Sequence, residues 1–287
     1  MTTAVLFSTA GAATVLARLP AARVRLGLLA ALAALIAVPA LAETGFLDRT
    51  VAAGAERYRY QVYVPSNYAP STAWPVIVSL HGNGRQGIDG VLPTGTDFAI
   101  RIRENGAPFP AIVVFPQARP GTRWFYPQMQ RMVMAELDRT IAEFRVDPER
   151  VYLHGYSMGG GGSYRLAWKW PERFAAVVVV AGRVEPGENY TPAEIELDDT
   201  TNPAAGMPDP FAAFAAGLRT TPLWIFHGDA DTVVPVDQSR KLVAALKRVG
   251  APVRYTELPG VDHTAAPALA YADADLFCWL LSQPAGR

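Results

Sequence analysis

The sequence has little cysteine, with Cys278 as the one thiol among 287 residues. One thiol cannot form an internal disulfide, so the domain must be held together by its hydrophobic core. Because Cys278 falls within the apolar run 276–281, we expect it to be a small buried hydrophobic residue with no catalytic role.

An excess of charge of either sign is also missing. Lys and Arg together number 26, Asp and Glu together number 26, and the formal net charge is zero. A nucleic-acid-binding domain needs a basic face, so this composition indicates no nucleic-acid partner. Histidine is scarce, with four residues, and no pair of them has ligand spacing on one helix. This argues against a metal site.

The N-terminal apolar run, 26–38, is shorter than the roughly 20 residues that a membrane-spanning helix needs. Three arginines precede it, and it is followed by Ala-Leu-Ala at 40–42. These features are typical of a cleavable secretory signal, with a membrane anchor as the alternative. We predict a signal peptide over 1–42, a mature chain that starts at Glu43, and a secreted or periplasmic protein without a stable membrane anchor.

Beyond the signal, short apolar runs alternate with helical patterns. The runs, typical of parallel strands buried on both faces, lie at 76–80, 111–115, 151–153, 176–180 and 223–226. The helical patterns lie at 128–144, 163–170 and 238–249, and a strand at 253–258 and a helix at 266–281 close the series. This predicts the α/β class, with a doubly wound, mostly parallel sheet flanked by helices. The alternating pattern of 57–64 predicts an antiparallel strand at the N-terminal edge.

The mature chain shows no internal repeat and no clear linker, so we predict a single domain over 43–287. Segment 183–210 interrupts the alternation and is rich in Pro, Gly, Asp, Glu and Thr. Structureless stretches of this length are usually functional loops or disordered segments. The sequence leaves open whether this one is a lid over the site or a plain surface loop.

The segment from Gly155 to Gly159 reads Gly-Tyr-Ser-Met-Gly and lies between an apolar strand and a glycine-rich helix start. A Gly-x-Ser-x-Gly in that position is typical of a nucleophile elbow, a tight turn that exposes a serine hydroxyl. We therefore predict that Ser157 is a nucleophile. The further glycines at 160–162 indicate close backbone packing or a mobile helix start.

A serine nucleophile needs a base, and a base needs a carboxylate to orient it. His263 lies in a loop after the last predicted strand and is our candidate base, because histidine titrates near neutral pH. The segment 227–235 offers Asp231 and Asp229 as the acid. We choose Asp231 and expect Asp229 to cap a turn. The other three histidines follow strands and are expected to shape the rim by hydrogen bonds: His81, His154 and His227.

The negative charge that develops on the substrate oxygen needs preorganised donors. The backbone N–H of Met158 follows the nucleophile at a helix start and is the first candidate. The loop 81–84 reads His-Gly-Asn-Gly, and its glycines allow close approach of the backbone. We assign the second donor to the N–H of Asn83, with Gly84 as the nearest alternative.

An aromatic group follows a turn rich in Pro and Gly and precedes the helix at 128: Trp124, Phe125 and Tyr126. Aromatic side chains in such a loop can line a pocket for an acyl or aryl group. Core packing is the alternative, and the sequence does not separate the two.

The order Ser157, Asp231, His263 resembles that of the α/β-hydrolase superfamily, as do the loop 81–84 and the His-Gly-x-x-Asp-x-x-Val-Pro pattern at 227–235. Within it the chain is similar to secreted serine esterases such as feruloyl esterases, polyhydroxybutyrate depolymerases and carboxylesterase/phospholipase-type enzymes. The resemblance covers roughly Tyr58 to Leu281.

The resemblance implies hydrolysis of a small or polymer-linked carboxylic ester through an acyl-enzyme, without a cofactor. The alternatives are a serine peptidase of the prolyl-oligopeptidase type and an inactive hydrolase fold that serves as a binding protein. The identity of the ester is not readable from the residues.

Overall fold

The computed structural model describes residues 43–185 and 207–283. The predicted signal peptide and most of the predicted lid segment lie outside these ranges. Within the compact unit Leu41–Arg287, eight strands form one sheet. They are β1 (Gly45–Ala53), β2 (Glu56–Val64), β3 (Trp74–Leu80), β4 (Ile112–Phe115), β5 (Val146–Tyr156), β6 (Ala176–Val180), β7 (Leu223–Gly228) and β8 (Val253–Leu258).

The sheet order is β1-β2-β4-β3-β5-β6-β7-β8. The pairs β1·β2 and β2·β4 are antiparallel, and every other pair is parallel. This confirms the predicted mostly parallel sheet with antiparallel pairing at its N-terminal edge. The predicted edge strand is β2, however, and β1 covers it on the outside. The two strands form a hairpin in which Ala53 pairs with Glu56 and Gly54 takes a positive φ of 65°, as two-residue hairpin turns require.

Helices cover both faces of the sheet. They are α1 (Asp97–Glu104), α2 (Pro127–Glu143), α3 (Met158–Lys169), α4 (Pro210–Gly217), α5 (Asp237–Arg248), α6 (Ala266–Ala272) and α7 (Leu276–Ser282). None of the helices in the described ranges is long and apolar enough to cross a bilayer.

The hydrophobic core has two parts, one on each face of the sheet. Val76 and Val78 of β3 pack with α2, α3, α4 and α5, whereas Ile77 packs with α1, α6 and α7. Successive side chains of a strand point to opposite faces, so a strand buried on both faces must be apolar throughout. This explains the continuous apolar runs in the sequence.

The predicted C-terminal helix, 266–281, is interrupted. The carboxylate of Asp273 accepts a hydrogen bond from the N–H of Asp275 at 2.9 Å, a local turn that competes with helix formation. The chain therefore forms α6 and α7 in place of one helix. Leu276 and Leu280 face the core, but Cys278 between them is exposed, so the expectation of a buried thiol was wrong.

Glu136 is a buried carboxyl group on α2. It is fully buried, and within the described ranges neither of its side-chain oxygens has a hydrogen-bond partner. Burial raises its pKa well above the ordinary value of 4.5. The folded state therefore holds a proton that the unfolded chain releases above about pH 4.5, and folding becomes less favourable as the pH rises through that window.

We expect Glu136→Gln to stabilise the protein more at pH 8 than at pH 5. Glutamine has no charge to neutralise, so the gain grows by up to about 1.4 kcal/mol per pH unit above the unfolded pKa. Thermal unfolding at both pH values measures it, with the exposed Glu104→Gln as the matched control. An equal effect of Glu136→Gln at both pH values would contradict the assignment of a protonated carboxyl.

Candidate active site

Ser157 lies in the single-residue turn between β5 and α3. It has φ 55° and ψ −116°, a strained conformation for a residue with a side chain. A Cβ atom at Gly155 would collide with the carbonyl of Gly159, and one at Gly159 would collide with the carbonyl of Leu80. The two motif glycines are thus required by close backbone contacts, and the turn they permit holds the serine at the carboxyl end of β5.

Three side chains from separate parts of the chain meet at this turn. The Oγ of Ser157 lies 2.8 Å from Nε2 of His263, and Nδ1 of the same ring lies 2.6 Å from Oδ2 of Asp231. Asp231 follows β7 and His263 follows β8, so both loops leave the same edge of the sheet. Asp229 instead accepts a hydrogen bond from the N–H of Gly260 at 2.6 Å, a contact between two loops.

The carboxylate of Asp231 is fully enclosed. Burial by itself would raise its pKa, but hydrogen bonds from His227, His263 and the N–H of Val234 outweigh burial and hold the pKa of Asp231 well below its usual range. The N–H groups of Val233 and Val234 both donate to Oδ1, at 2.8 and 2.7 Å. Oδ2 is left to the two histidines, so the group is a fixed anion facing the His263 ring.

His227 is a second histidine that contacts the carboxylate of Asp231. Its Nε2 lies 2.8 Å from the carbonyl of Val234 and 3.2 Å from Oδ2 of Asp231, and its Nδ1 lies 2.7 Å from Oγ of Ser239. A carbonyl can only accept, so the ring proton is on Nε2 and Nδ1 accepts from the serine. His227, which was predicted to lie at the rim, is thus buried, and its hydrogen bonds stabilise the 229–234 loop.

His81 stabilises the loop that carries Asn83. Burial lowers the pKa of His81 to about 4, so the ring is neutral at pH 7. Its Nδ1 lies 2.6 Å from the carbonyl of Gly82, to which it donates, and its Nε2 accepts from the N–H of Ala118 at 3.1 Å. These two bonds tie the loop to the segment that follows β4.

The two predicted oxyanion donors are available. Met158 is the first residue of α3, where a backbone N–H has no partner within its own helix. Asn83 begins a short 3-10 turn, and its side-chain Oδ1 accepts from Arg123 at 3.0 Å. Among the described residues, neither backbone N–H donates to a carbonyl.

A cavity of about 390 Å³ opens beside the serine. Asn83, Gly84, Ser157 and His263 all line it. The space is therefore large enough for a small organic group placed against Ser157 and the loop that carries Asn83.

The structure does not bring the predicted aromatic group to this cavity. Trp124 is fully buried, donates from Nε1 to the carbonyl of His81 at 2.9 Å, and packs so closely on Gly162 that a Cβ there would overlap it. Phe125 is buried too, and Tyr126 packs on the core. Residues 124–126 therefore pack in the core next to the site, and the glycines of α3 allow this close packing.

Sequence reasoning missed Tyr156, the residue before Ser157. Its hydroxyl donates to the carbonyl of His263 at 3.0 Å, and the two rings lie 5.1 Å apart. Burial raises the pKa of Tyr156 to about 12, so the hydroxyl remains a donor at neutral pH. The signal was the strand period, which places the side chains of His154 and Tyr156 on one face of β5.

Sequence reasoning predicted that His154 shapes the rim by hydrogen bonds, but it missed the two partners of His154 in the polar wall of the cavity, Ser79 and Tyr271. Ser79 and His154 come from neighbouring strands, Tyr271 comes from α6, and all three line the cavity although they are almost completely buried. Tyr271 lies in an apolar helix pattern, and this pattern did not predict that the residue lines a cavity.

Comparison with known proteins gives relatives that include an esterase and an uncharacterised secreted protein. Acetylxylan esterase A of Emericella nidulans is 26% identical over 196 residues, which cover 61% of this chain and 62% of that protein. An uncharacterised secreted protein of Arthroderma benhamiae is 26% identical over 207 residues, 69% of this chain but 22% of that protein. The chain thus spans less than two thirds of either relative.

A solved structure of a thermostable esterase superposes with a TM-score of 0.67 at 26% identity, covering 83% of this chain and 63% of that one. This confirms the α/β-hydrolase fold. The model of the prolyl oligopeptidase family matches residues 131–283, more than half of the chain, and includes the segments that carry Ser157, Asp231 and His263. The chain therefore belongs to the prolyl oligopeptidase family and has the α/β-hydrolase fold.

Proposed function

We propose that the protein is a serine esterase that cleaves a carboxylic ester through an acyl-enzyme. Ser157 is the nucleophile, His263 the base and Asp231 the residue that orients the base. The observation that carries this is the continuous hydrogen-bonded path from the serine hydroxyl through the imidazole to an enclosed carboxylate, with lengths of 2.8 and 2.6 Å.

The path determines where each proton goes. The low pKa of Asp231 keeps it anionic, so it accepts the Nδ1–H of His263 and leaves Nε2 as a lone pair aimed at Ser157. As the serine oxygen attacks the ester carbonyl, Nε2 takes its proton and then passes it to the departing alcohol. Water, activated by the same nitrogen, attacks the acyl-enzyme and releases the acid.

The tetrahedral intermediate carries its charge on the former carbonyl oxygen. The N–H groups of Met158 and Asn83 have no other backbone acceptor among the described residues, and both sit at the start of helical turns. Each donor of this kind is worth about 3 kcal/mol in the transition state. The bond from Tyr156 to the carbonyl of His263 holds the base over the serine during both half-reactions.

Ester chemistry is favoured over peptide chemistry by the named relatives. An acetylxylan esterase and a thermostable esterase each share 26% identity with the chain. The family name points to the alternative, a peptidase. The chain covers less than two thirds of the length of these two esterases. We propose that its substrate is an ester, either small or attached to a polymer.

Rates on matched substrates test this function. We expect turnover of nitrophenyl esters from acetate to decanoate, and of methyl ferulate, with kcat/KM at least about 10³-fold above that for a prolyl nitroanilide, because an alcohol leaves more easily than an amine. Protein treated with a fluorophosphonate supplies the background rate. Faster cleavage of the amide would favour the peptidase, and no cleavage of any substrate would favour the binding protein.

We also propose that the protein is exported. The basic and apolar pattern before residue 42 supports this, and one relative is a secreted protein. N-terminal sequencing of the protein from the culture medium or periplasm should begin at Glu43. Retention of residues 1–42 in a membrane fraction would contradict the proposed cleavage.

A further inference from the structure

Three buried polar residues form a hydrogen-bonded row in the wall of the cavity. Ser79 of β3 pairs in register with His154 of β5, so their side chains lie next to each other on one face of the sheet. The Oγ of Ser79 lies 3.0 Å from Nδ1 of His154, and Nε2 of the ring lies 2.8 Å from the hydroxyl of Tyr271. All three line the same cavity as Ser157.

The imidazole in the middle of this row is neutral. Only 3% of His154 is exposed, and the ring of Phe98 packs on it at 4.8 Å. Burial lowers the pKa of His154 to about 3. At neutral pH the ring therefore carries one N–H and one lone pair.

The two hydroxyls and the neutral ring carry three protons in total, but the row contains only two hydrogen bonds. A neutral imidazole donates one hydrogen bond and accepts the other, so one hydroxyl gives its proton to the ring and the other receives the ring proton. The hydroxyl that receives keeps its own proton. Among the described residues, the hydroxyl groups of Ser79 and Tyr271 have no hydrogen-bond partner other than His154. Either tautomer therefore leaves one O–H free at the cavity wall.

The charged groups nearby favour an uncharged ligand at this donor. Asp97 lines the cavity, and its negative charge adds to burial in raising the pKa of Tyr271. Arg85 also lines the cavity, and its guanidinium, which donates to the carbonyl of Gly95 at 2.8 Å, keeps its positive charge, so these two side chains give the lining no net charge that would select an ion. An anion would meet the Asp97 charge, whereas an ether, hydroxyl or carbonyl oxygen can accept from the free O–H without that repulsion.

We propose that Ser79, His154 and Tyr271 form a substrate subsite that donates one hydrogen bond to a neutral oxygen of the ester, apart from the scissile group. The substrates are then short esters whose acyl or alcohol part carries an ether, hydroxyl or carbonyl oxygen. This inference rests on the proposed esterase function. A pure hydrocarbon chain in the same place would leave a desolvated donor unpaired, which lowers its rate.

Isosteric ester pairs test the subsite on the unmodified protein. Nitrophenyl methoxyacetate and nitrophenyl butyrate differ by an oxygen in place of a methylene in the acyl part, as 2-methoxyethyl acetate and butyl acetate do in the alcohol part. Each ratio of kcat/KM is divided by the same ratio for hydrolysis by hydroxide, which removes intrinsic reactivity. We expect about a fivefold preference for the oxygen in at least one pair, the size of one neutral hydrogen bond.

The triple variant Ser79→Ala/His154→Leu/Tyr271→Phe removes both hydroxyls and the ring N–H, and should bring that normalised ratio to about one. The single variants Ser79→Ala and Tyr271→Phe should each keep a preference, because the other hydroxyl can present the donor after the ring changes tautomer. Tyr152→Phe is the matched control, since its hydroxyl donates to the carbonyls of Leu281 and Gln283 away from the cavity. This variant should keep the full preference.

The outcomes separate this inference from the proposed function. Normalised ratios near one for both pairs in the unmodified protein overturn the subsite, and they decide the matter even if the triple variant fails to fold. An oxygen preference that survives in a folded triple variant overturns it too. Absence of any ester turnover, together with an unlabelled Ser157, overturns the proposed function itself.

Discussion

Replacing Ser157 by alanine should lower kcat for ester hydrolysis by about 10⁶-fold, the loss typical when the nucleophile of a serine hydrolase is removed. The reason is chemical: alanine has no oxygen to form the acyl-enzyme, although the two oxyanion donors stay in place. Alanine keeps a Cβ at φ 55°, so the backbone strain is unchanged and the melting temperature should stay within about 2 °C. Steady-state rates on nitrophenyl acetate and thermal unfolding measure the two effects.

A second serine provides the control for this variant. Ser282 ends α7, is exposed, and donates to the carbonyl of Trp279 at 2.8 Å, away from the cavity. Ser282→Ala should keep the full rate. Comparable turnover by Ser157→Ala and the unmodified protein would show that another residue carries the reaction.

Asp231→Asn should lower kcat by about 10⁴-fold with little change in KM. The carboxylate accepts from Nδ1 of His263 through Oδ2, whereas the amide of asparagine would present an N–H there. The imidazole would then carry its proton on Nε2, facing Ser157, and could no longer act as a base. Rates between pH 6 and 9, with near-ultraviolet circular dichroism to check the fold, measure this effect.

Asp229→Asn is the matched comparison, two residues away in the same loop. Its Oδ1 accepts from the N–H of Gly260 at 2.6 Å, and an asparagine oxygen can take over that role. We expect a rate within about threefold of the unmodified protein, since only a charge at the surface is lost. A larger loss for Asp229→Asn than for Asp231→Asn would show that the acid has been misassigned.

The fold could be predicted because its central strands are buried on both faces and therefore apolar throughout. The outer strand β1 was missed, since its half-buried residues give a weak pattern. The split between α6 and α7 was missed as well. It depends on one side-chain contact at Asp273, and the apolar residues on both sides continue the helical period.

The site was partly readable for a similar reason. The serine turn is specified by adjacent residues whose contacts demand glycine, so its pattern is local. The choice between Asp229 and Asp231 depends on how two loops meet, and in the wall formed by Ser79, His154 and Tyr271 the hydrogen-bonded pairs are 75 and 117 positions apart. A core residue and a residue that lines a pocket give the same hydrophobic pattern in a sequence. The sequence therefore could not decide whether Trp124 and the two aromatic residues after it pack in the core or line a pocket.

Labelling with a fluorophosphonate followed by peptide mapping identifies the nucleophile of the protein. Trypsin should release residues 151–165, which contain both Ser157 and Ser163. We expect one adduct, on Ser157, and none on Ser163, whose hydroxyl is buried and donates to the carbonyl of Gly159 at 2.9 Å. An adduct on any other residue, or no adduct on protein that hydrolyses esters, would show that Ser157 is not the nucleophile.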